Sequence, residues 1–159
     1  MRRISWILCL LLLPGVLLAH GNKPGKATLA VGDGEISIVF TAPELKDRDI
    51  NELIKMEGAN PWRLGADRAT VLESPVALNL GGESLAAGKY TLRAYLDDDG
   101  HWWLQFVDDS RAVAGKLMLD NSKAEHSEYM LINLSGSASN GTVKIQWGTL
   151  LLSGNFSAE

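Results

Sequence analysis

The sequence predicts an all-β protein, an antiparallel β-sandwich with one short helix that follows an N-terminal signal peptide. Two observations predict the sandwich. Apolar and polar residues alternate with a period of two in seven segments of the chain, and turn-forming runs of Gly, Ser and Asp separate these segments. Short strands at such regular spacing are typical of antiparallel sandwiches and barrels. A third observation, an apolar run at the N-terminus, predicts the signal peptide.

The signal peptide is predicted over residues 1–19. The Arg2-Arg3 pair forms its positively charged start, an apolar run follows, and small residues come at Ala19 and Gly21. A Pro-Gly pair interrupts the run, which is shorter than the roughly 20 residues that a membrane-spanning helix needs. We therefore expect cleavage after Ala19 or after Gly21, no transmembrane segment in the remaining chain, and export to the periplasm or to the outside of the cell.

The composition restricts the partners of the exported chain. The whole sequence has 15 basic and 19 acidic residues, and the basic pair Arg2-Arg3 leaves with the signal peptide. An acidic surface disfavours nucleic acid, whose phosphates require clustered Lys and Arg, and it equally disfavours anionic membrane surfaces. The only cysteine, Cys9, also lies in the signal peptide. The domain must therefore be stabilised without disulfides, and its length is sufficient for that.

We expect residues 20–26 to form a flexible lead-in and residues 27–157 to form a single β-sandwich domain. The lead-in is polar and contains Gly and Pro, whereas the strands of the domain are predicted from their alternation. In chain order, the predicted strands cover residues 35–40, 76–80, 90–96, 101–107, 129–134, 142–147 and 150–156.

Two further local elements are predicted within the domain. Residues 47–56 are expected to form the one helix, because apolar residues recur there at helical spacing and either Asp47 or Asp49 is suited to cap its start. Gly81-Gly82 follows a predicted strand. Two glycines permit the positive φ angles that a two-residue hairpin loop requires, so we expect a hairpin at this position.

A distinctive motif runs from Trp62 to Asp67, with the sequence Trp-Arg-Leu-Gly-Ala-Asp. It resembles the Trp-Arg-x-Gly-Ala-Asn motif of an exported bacterial family labelled domain of unknown function 2911, although Asp67 stands where that family usually has Asn. The similarity extends through Leu85–Leu92, which resembles the family's Leu-x-Ala-Gly-x-Tyr-x-Leu block, to Gln146–Phe156, which is similar to its closing strand pair. The resemblance implies an exported β-sandwich and supplies no activity.

The same motif is the best candidate for a ligand site. A Trp-Arg pair can stack a planar ligand and clamp its carboxylate, because guanidinium offers two parallel donors, and Gly65 would let the backbone approach closely. We therefore name Trp62, Arg63, Gly65 and Asp67 as ligand-binding candidates for a small molecule or an envelope component. The structural alternative is that Arg63 pairs with Asp67 while Trp62 closes one end of the sandwich.

A copper site is the first alternative function. A cut after Ala19 would make His20 the first residue, and an N-terminal histidine chelates copper through its amine and ring nitrogen. Asp99 and His101, on a predicted turn, would complete the site; exported copper-binding sandwiches of the periplasmic copper-resistance type look similar there. A cut after Gly21 would remove His20, and an Asp-Gly pair also suits a turn for its backbone alone.

The sequence contains no pattern typical of catalysis. A nucleophilic enzyme needs Ser or Cys beside an oriented base, yet the chain after residue 19 has no cysteine and no Gly-x-Ser-x-Gly turn. No glycine-rich phosphate loop precedes a helix. We predict a non-catalytic binding or cell-envelope-associated module that needs no cofactor, with the copper protein and a hydrolase-like enzyme as alternatives.

Overall fold

The computed structural model describes residues 21–57 and 61–159. The regular structure of this part of the chain is almost all antiparallel β, with one helix, α1 (Ile50–Glu57). The strands are β1 (Lys23–Val31), β2 (Gly34–Ala42), β3 (Val71–Ser74), β4 (Leu78–Asn79), β5 (Ser84–Leu85), β6 (Gly88–Leu96), β7 (Trp102–Val107), β8 (Val113–Ser137) and β9 (Asn140–Ala158). The predicted fold class is confirmed. None of the described helical residues forms a helix long and apolar enough to cross a membrane.

The nine strands join in the order β1-β2-β3-β6-β7-β8-β9-β4-β5. β8 makes the sheet fold over, because its first part pairs with β7 and its remainder pairs with β9, with irregular pairing between Lys123 and Leu131. β1 and β2 then lie against β8. The inward side chains of the strands meet in one contiguous apolar core, in which Ile38, Leu92 and Ile145 are almost fully buried.

Several strand segments were not predicted, among them β1, β3 and the first part of β8. β1 begins at Lys23, inside the segment expected to be a lead-in, and pairs with β2 along its whole length. Gly25 lies directly on the ring of Phe40. A side chain at this position would not fit, so close packing explains why the residue is a glycine. Residues 113–128 of β8 were also not predicted, because only Gly115, Leu117 and Leu119 are buried there and the residues from Asp120 to Glu128 show no alternation.

The local predictions for the helix and the hairpin are confirmed. Asp49 caps α1, since its Oδ1 accepts a hydrogen bond from the backbone N–H of Asn51 at 2.7 Å. That bond is the main reason why the pKa of Asp49 is lowered. Gly81 and Gly82 form the loop between β4 and β5 with φ angles of 82° and 113°.

The sheet order places several connections at one edge. β2 and β6 both pair antiparallel with β3, so they run in the same direction and end at the same edge. The start of β1 lies there too, because Lys23 pairs with Ala42 at the end of β2. This edge carries α1, the segment after it and the β6–β7 turn.

Candidate functional site

A cleft of about 770 Å³ opens at this edge, between α1 and the segment from Pro61 to Asp67. All four residues proposed from the sequence as ligand-binding candidates line it: Trp62, Arg63, Gly65 and Asp67. Arg93 of β6 and Trp147 of β9 contribute to the same cleft. The volume lies in the range of small-molecule sites, about 300–1,000 Å³.

Trp62 is built into the end of the sandwich. Its N–H donates to the carbonyl of Ala94 at 2.6 Å, and the N–H of Ala94 donates back to the carbonyl of Trp62 at 2.8 Å. The indole stacks on Trp147 with ring centroids 5.8 Å apart and an interplanar angle of 12°. Only 8% of Trp62 is exposed. The ring therefore closes the sandwich, as in the structural alternative, and offers little open face to a planar ligand.

The loop after Trp62 is held in place by its backbone. Ala66 donates to the carbonyl of Thr41 at 2.9 Å, and the buried hydroxyl of Thr70 donates to the carbonyl of Leu64. Gly65 has a φ of 146°, and a Cβ there would lie 2.9 Å from Thr70 Oγ1. Glycine is thus required by close approach of the protein's own chain.

Arg63 and Asp67 are exposed, in contrast to the buried Trp62 and Leu64. No ion pair joins them within the described residues; Asp67 instead accepts a hydrogen bond from Asn22 Nδ2 at 3.0 Å. Asp67 has a left-handed backbone with a φ of 61°. Asn and Asp tolerate that conformation better than most residues, which accounts for either residue at this point of the motif.

Sequence reasoning missed three residues that shape the cleft: Arg48, Arg93 and Trp147. Arg48 is anchored, because its Nε donates to the carbonyl of Leu45 and its Nη2 to the carbonyl of Glu44, both at 2.7 Å. Its guanidinium lies 5.9 Å from the ring centre of Trp147. Arg93 occupies an outward position of β6 and is exposed. No local signal marks these residues, since Arg93 and Trp147 are brought to the cleft by strand pairing and Arg48 by the loop that precedes α1.

The charge of the cleft is opposite to that of the chain. The whole sequence has a net charge of −4, yet the described lining contains three arginines and one acid, Asp67. Clustered guanidinium groups beside an apolar wall attract anions. The arrangement can therefore hold an anionic group.

The chain matches a known protein family. The family model described as "Protein of unknown function (DUF2911)" matches residues 23–155. The chain belongs to this family. Neither a curated protein nor a solved structure matches it. The resemblance predicted from the sequence is confirmed, and the family's description assigns no activity to this DUF2911 member.

A second cluster lies on the β6–β7 turn of the DUF2911 chain. Ligand atoms of Asp97, Asp99 and His101 lie within 4.8 Å of one another, so two of the three predicted copper ligands are adjacent. His20, the third, lies outside the described residues. Asp97 already organises the turn, because it accepts from the backbone N–H of His101 at 2.7 Å and from Trp103 Nε1 at 2.8 Å.

The hydrogen bond from Trp103 is the largest cause that lowers the pKa of Asp97, and the bond from the backbone of His101 is the second largest. The carboxylate should therefore stabilise the fold fully above the unfolded value of about 3.9 and lose this effect as the pH falls through the lower folded value. We expect Asp97→Asn to unfold at a lower temperature than wild type at pH 7, with the gap narrowing below pH 4. Thermal melts across pH test this, with Asp98→Asn as the control; a gap independent of pH would contradict it.

Proposed function

We propose that this DUF2911 member is an exported, non-catalytic binding module that holds a small anionic ligand in the cleft beside Arg63. One observation carries the proposal: three arginines and a single acid line one cleft of an acidic chain. Export is supported by the signal-like residues 1–19, whose predicted cleavage would leave the cleft and the sheet intact.

Arg63 is the best placed of the three arginines. It is exposed, and none of its five N–H groups is engaged within the described part of the chain. A free guanidinium fork binds a carboxylate or phosphate through two parallel hydrogen bonds. Arg48 already donates hydrogen bonds to the carbonyls of Leu45 and Glu44. It therefore contributes positive charge and shape to the cleft more than contacts with a ligand. Arg93 extends the positive surface.

The non-catalytic character is supported by what lines the cleft. The described lining residues include no serine, cysteine or histidine, and Asp67 is their only carboxylate. General acid–base or nucleophilic chemistry would need such groups in mutual reach. No observation in the described residues favours the hydrolase-like alternative. The copper alternative remains a prediction, because it depends on whether His20 is kept when the signal peptide is cleaved.

Replacing Arg63 tests the proposal. We expect Arg63→Ala to weaken the binding of a small carboxylate, with hexanoate as the probe, by about tenfold or more, because a charge-assisted hydrogen bond contributes about 1.5–3 kcal/mol. Isothermal titration calorimetry of the purified mature chain measures this. Arg68→Ala is the matched control, since Arg68 is an exposed arginine of the same loop that does not line the cleft. Equal affinities in the two variants, or no anion binding by wild type, would overturn the proposed function.

A further inference from the structure

The open apolar surface of the cleft is aliphatic. Its aromatic rings are already covered, because Trp62 and Trp147 stack on each other and are only 8% and 6% exposed. The side of the cleft formed by α1 presents Leu53, Ile54 and Met56. Leu53 and Ile54 are half-buried against the core, whereas Met56 is 82% exposed.

From this placement we propose that the ligand is a single-chain amphiphile, with an anionic head at Arg63 and a flexible aliphatic tail along α1. The inference rests on the proposed function, because it concerns the body of the ligand whose charged group Arg63 would hold. It names a ligand class, fatty-acid-like anions, rather than a planar aromatic acid or an inorganic anion.

The cleft suits neither an aromatic acid nor an inorganic anion. A planar aromatic body would need an open ring face, and Trp147 has Trp62 on its ring and Arg48 5.9 Å from its centre. An inorganic anion would leave Met56 exposed to water. A methionine side chain is flexible and adapts to an aliphatic chain, and the arginines provide the complementary charge for the head.

A single amphiphile molecule in solution fits this cleft better than a lipid bilayer does. The chain has 19 acidic against 15 basic residues, two of the basic ones in the predicted signal peptide, and such a balance repels anionic lipid surfaces. The cleft volume of about 770 Å³ also suits a small molecule rather than a membrane face.

Chain length tests the tail. Titrations of the mature chain with hexanoate, octanoate and decanoate, kept below micelle-forming concentrations, should show affinity rising by up to about fourfold for each methylene that becomes buried. Decanol, which has the same tail without the charge, should bind at least about tenfold more weakly than decanoate. Equal affinity for all three acids would overturn the inference, as would binding only to anionic vesicles.

Met56→Ser separates this inference from the proposed function. We expect it to weaken decanoate binding by about threefold to tenfold and to leave hexanoate binding within about twofold. Met118→Ser is the matched control, because Met118 is 51% exposed on β8 and does not line the cleft. If Met56→Ser and Met118→Ser behave alike while Arg63→Ala still weakens binding, the aliphatic tail is wrong and the anion site stands. If Arg63→Ala has no effect, both fail.

Discussion

Trp147→Ala is expected to lower the free energy of unfolding by about 3–5 kcal/mol, as truncation of a buried aromatic side chain usually does. Trp147 is 6% exposed and lies under both Trp62 and Arg48. Its removal would leave a cavity at the end of the sandwich and take away the support of the cleft. Urea unfolding, followed by circular dichroism, measures the change.

Trp147→Phe is the control for this prediction. Within the described residues, Nε1 of Trp147 is buried without a hydrogen-bond partner, so phenylalanine would keep an aromatic ring and give up no hydrogen bond. We expect it to cost less than Trp147→Ala, because the ring that remains leaves a smaller cavity. A loss below about 1 kcal/mol in Trp147→Ala would show that the stacked pair is not part of the stabilising core. Equal losses in both variants would show that a smaller aromatic ring cannot replace the stacked indole.

Gly65→Ala is expected to destabilise the protein by about 2–3 kcal/mol, from backbone strain and overpacking together. At a φ of 146°, an added Cβ would lie 2.9 Å from Thr70 Oγ1 and 3.2 Å from the carbonyl of Thr41. The clash would push the loop away from β2, and Arg63 with it. Decanoate affinity should therefore fall along with the melting temperature.

The matched control for Gly65→Ala is Gly32→Ala. Gly32 also has a positive φ, 55°, but a Cβ there would meet nothing within 4 Å. This control should cost only the conformational penalty of about 1–2 kcal/mol and leave decanoate binding unchanged. If Gly65→Ala is no more destabilising than Gly32→Ala, or if it binds decanoate as wild type does, the close packing of the loop does not position Arg63.

Much of the fold could be predicted because its signals are local. The alternation in residues 35–40 and 90–96 comes from side chains pointing to opposite faces of a strand, and β2 and β6 include these segments. The start of β1 at Lys23 could not be predicted, because its polar, glycine-containing sequence becomes a strand only through pairing with β2. The middle of β8 could not be predicted either, because its residues from Asp120 to Glu128 are mostly exposed and show no alternation.

The candidate site was predictable in part. The motif from Trp62 to Asp67 is contiguous, so its residue types alone drew attention to it. The structure adds two contacts to the motif: Trp62 packs on Trp147, as in the structural alternative, and Gly65 is approached by the protein's own Thr41. Neither contact is visible in the sequence, because β9 and β2 are distant from the motif along the chain.

The sequence by itself determined the class of fold, the helix with a cap at either Asp47 or Asp49, the hairpin at Gly81-Gly82 and the family, since each depends on neighbouring residues or on a contiguous motif. Only the tertiary structure decided that Arg48, Arg63 and Arg93 line one cleft. Their proximity depends on the pairing of β2 and β6 with β3 and on the bridge between Trp62 and Ala94, which join residues far apart in the chain. Strand register, a property of partners and not of single segments, therefore placed the positive charge of this acidic protein.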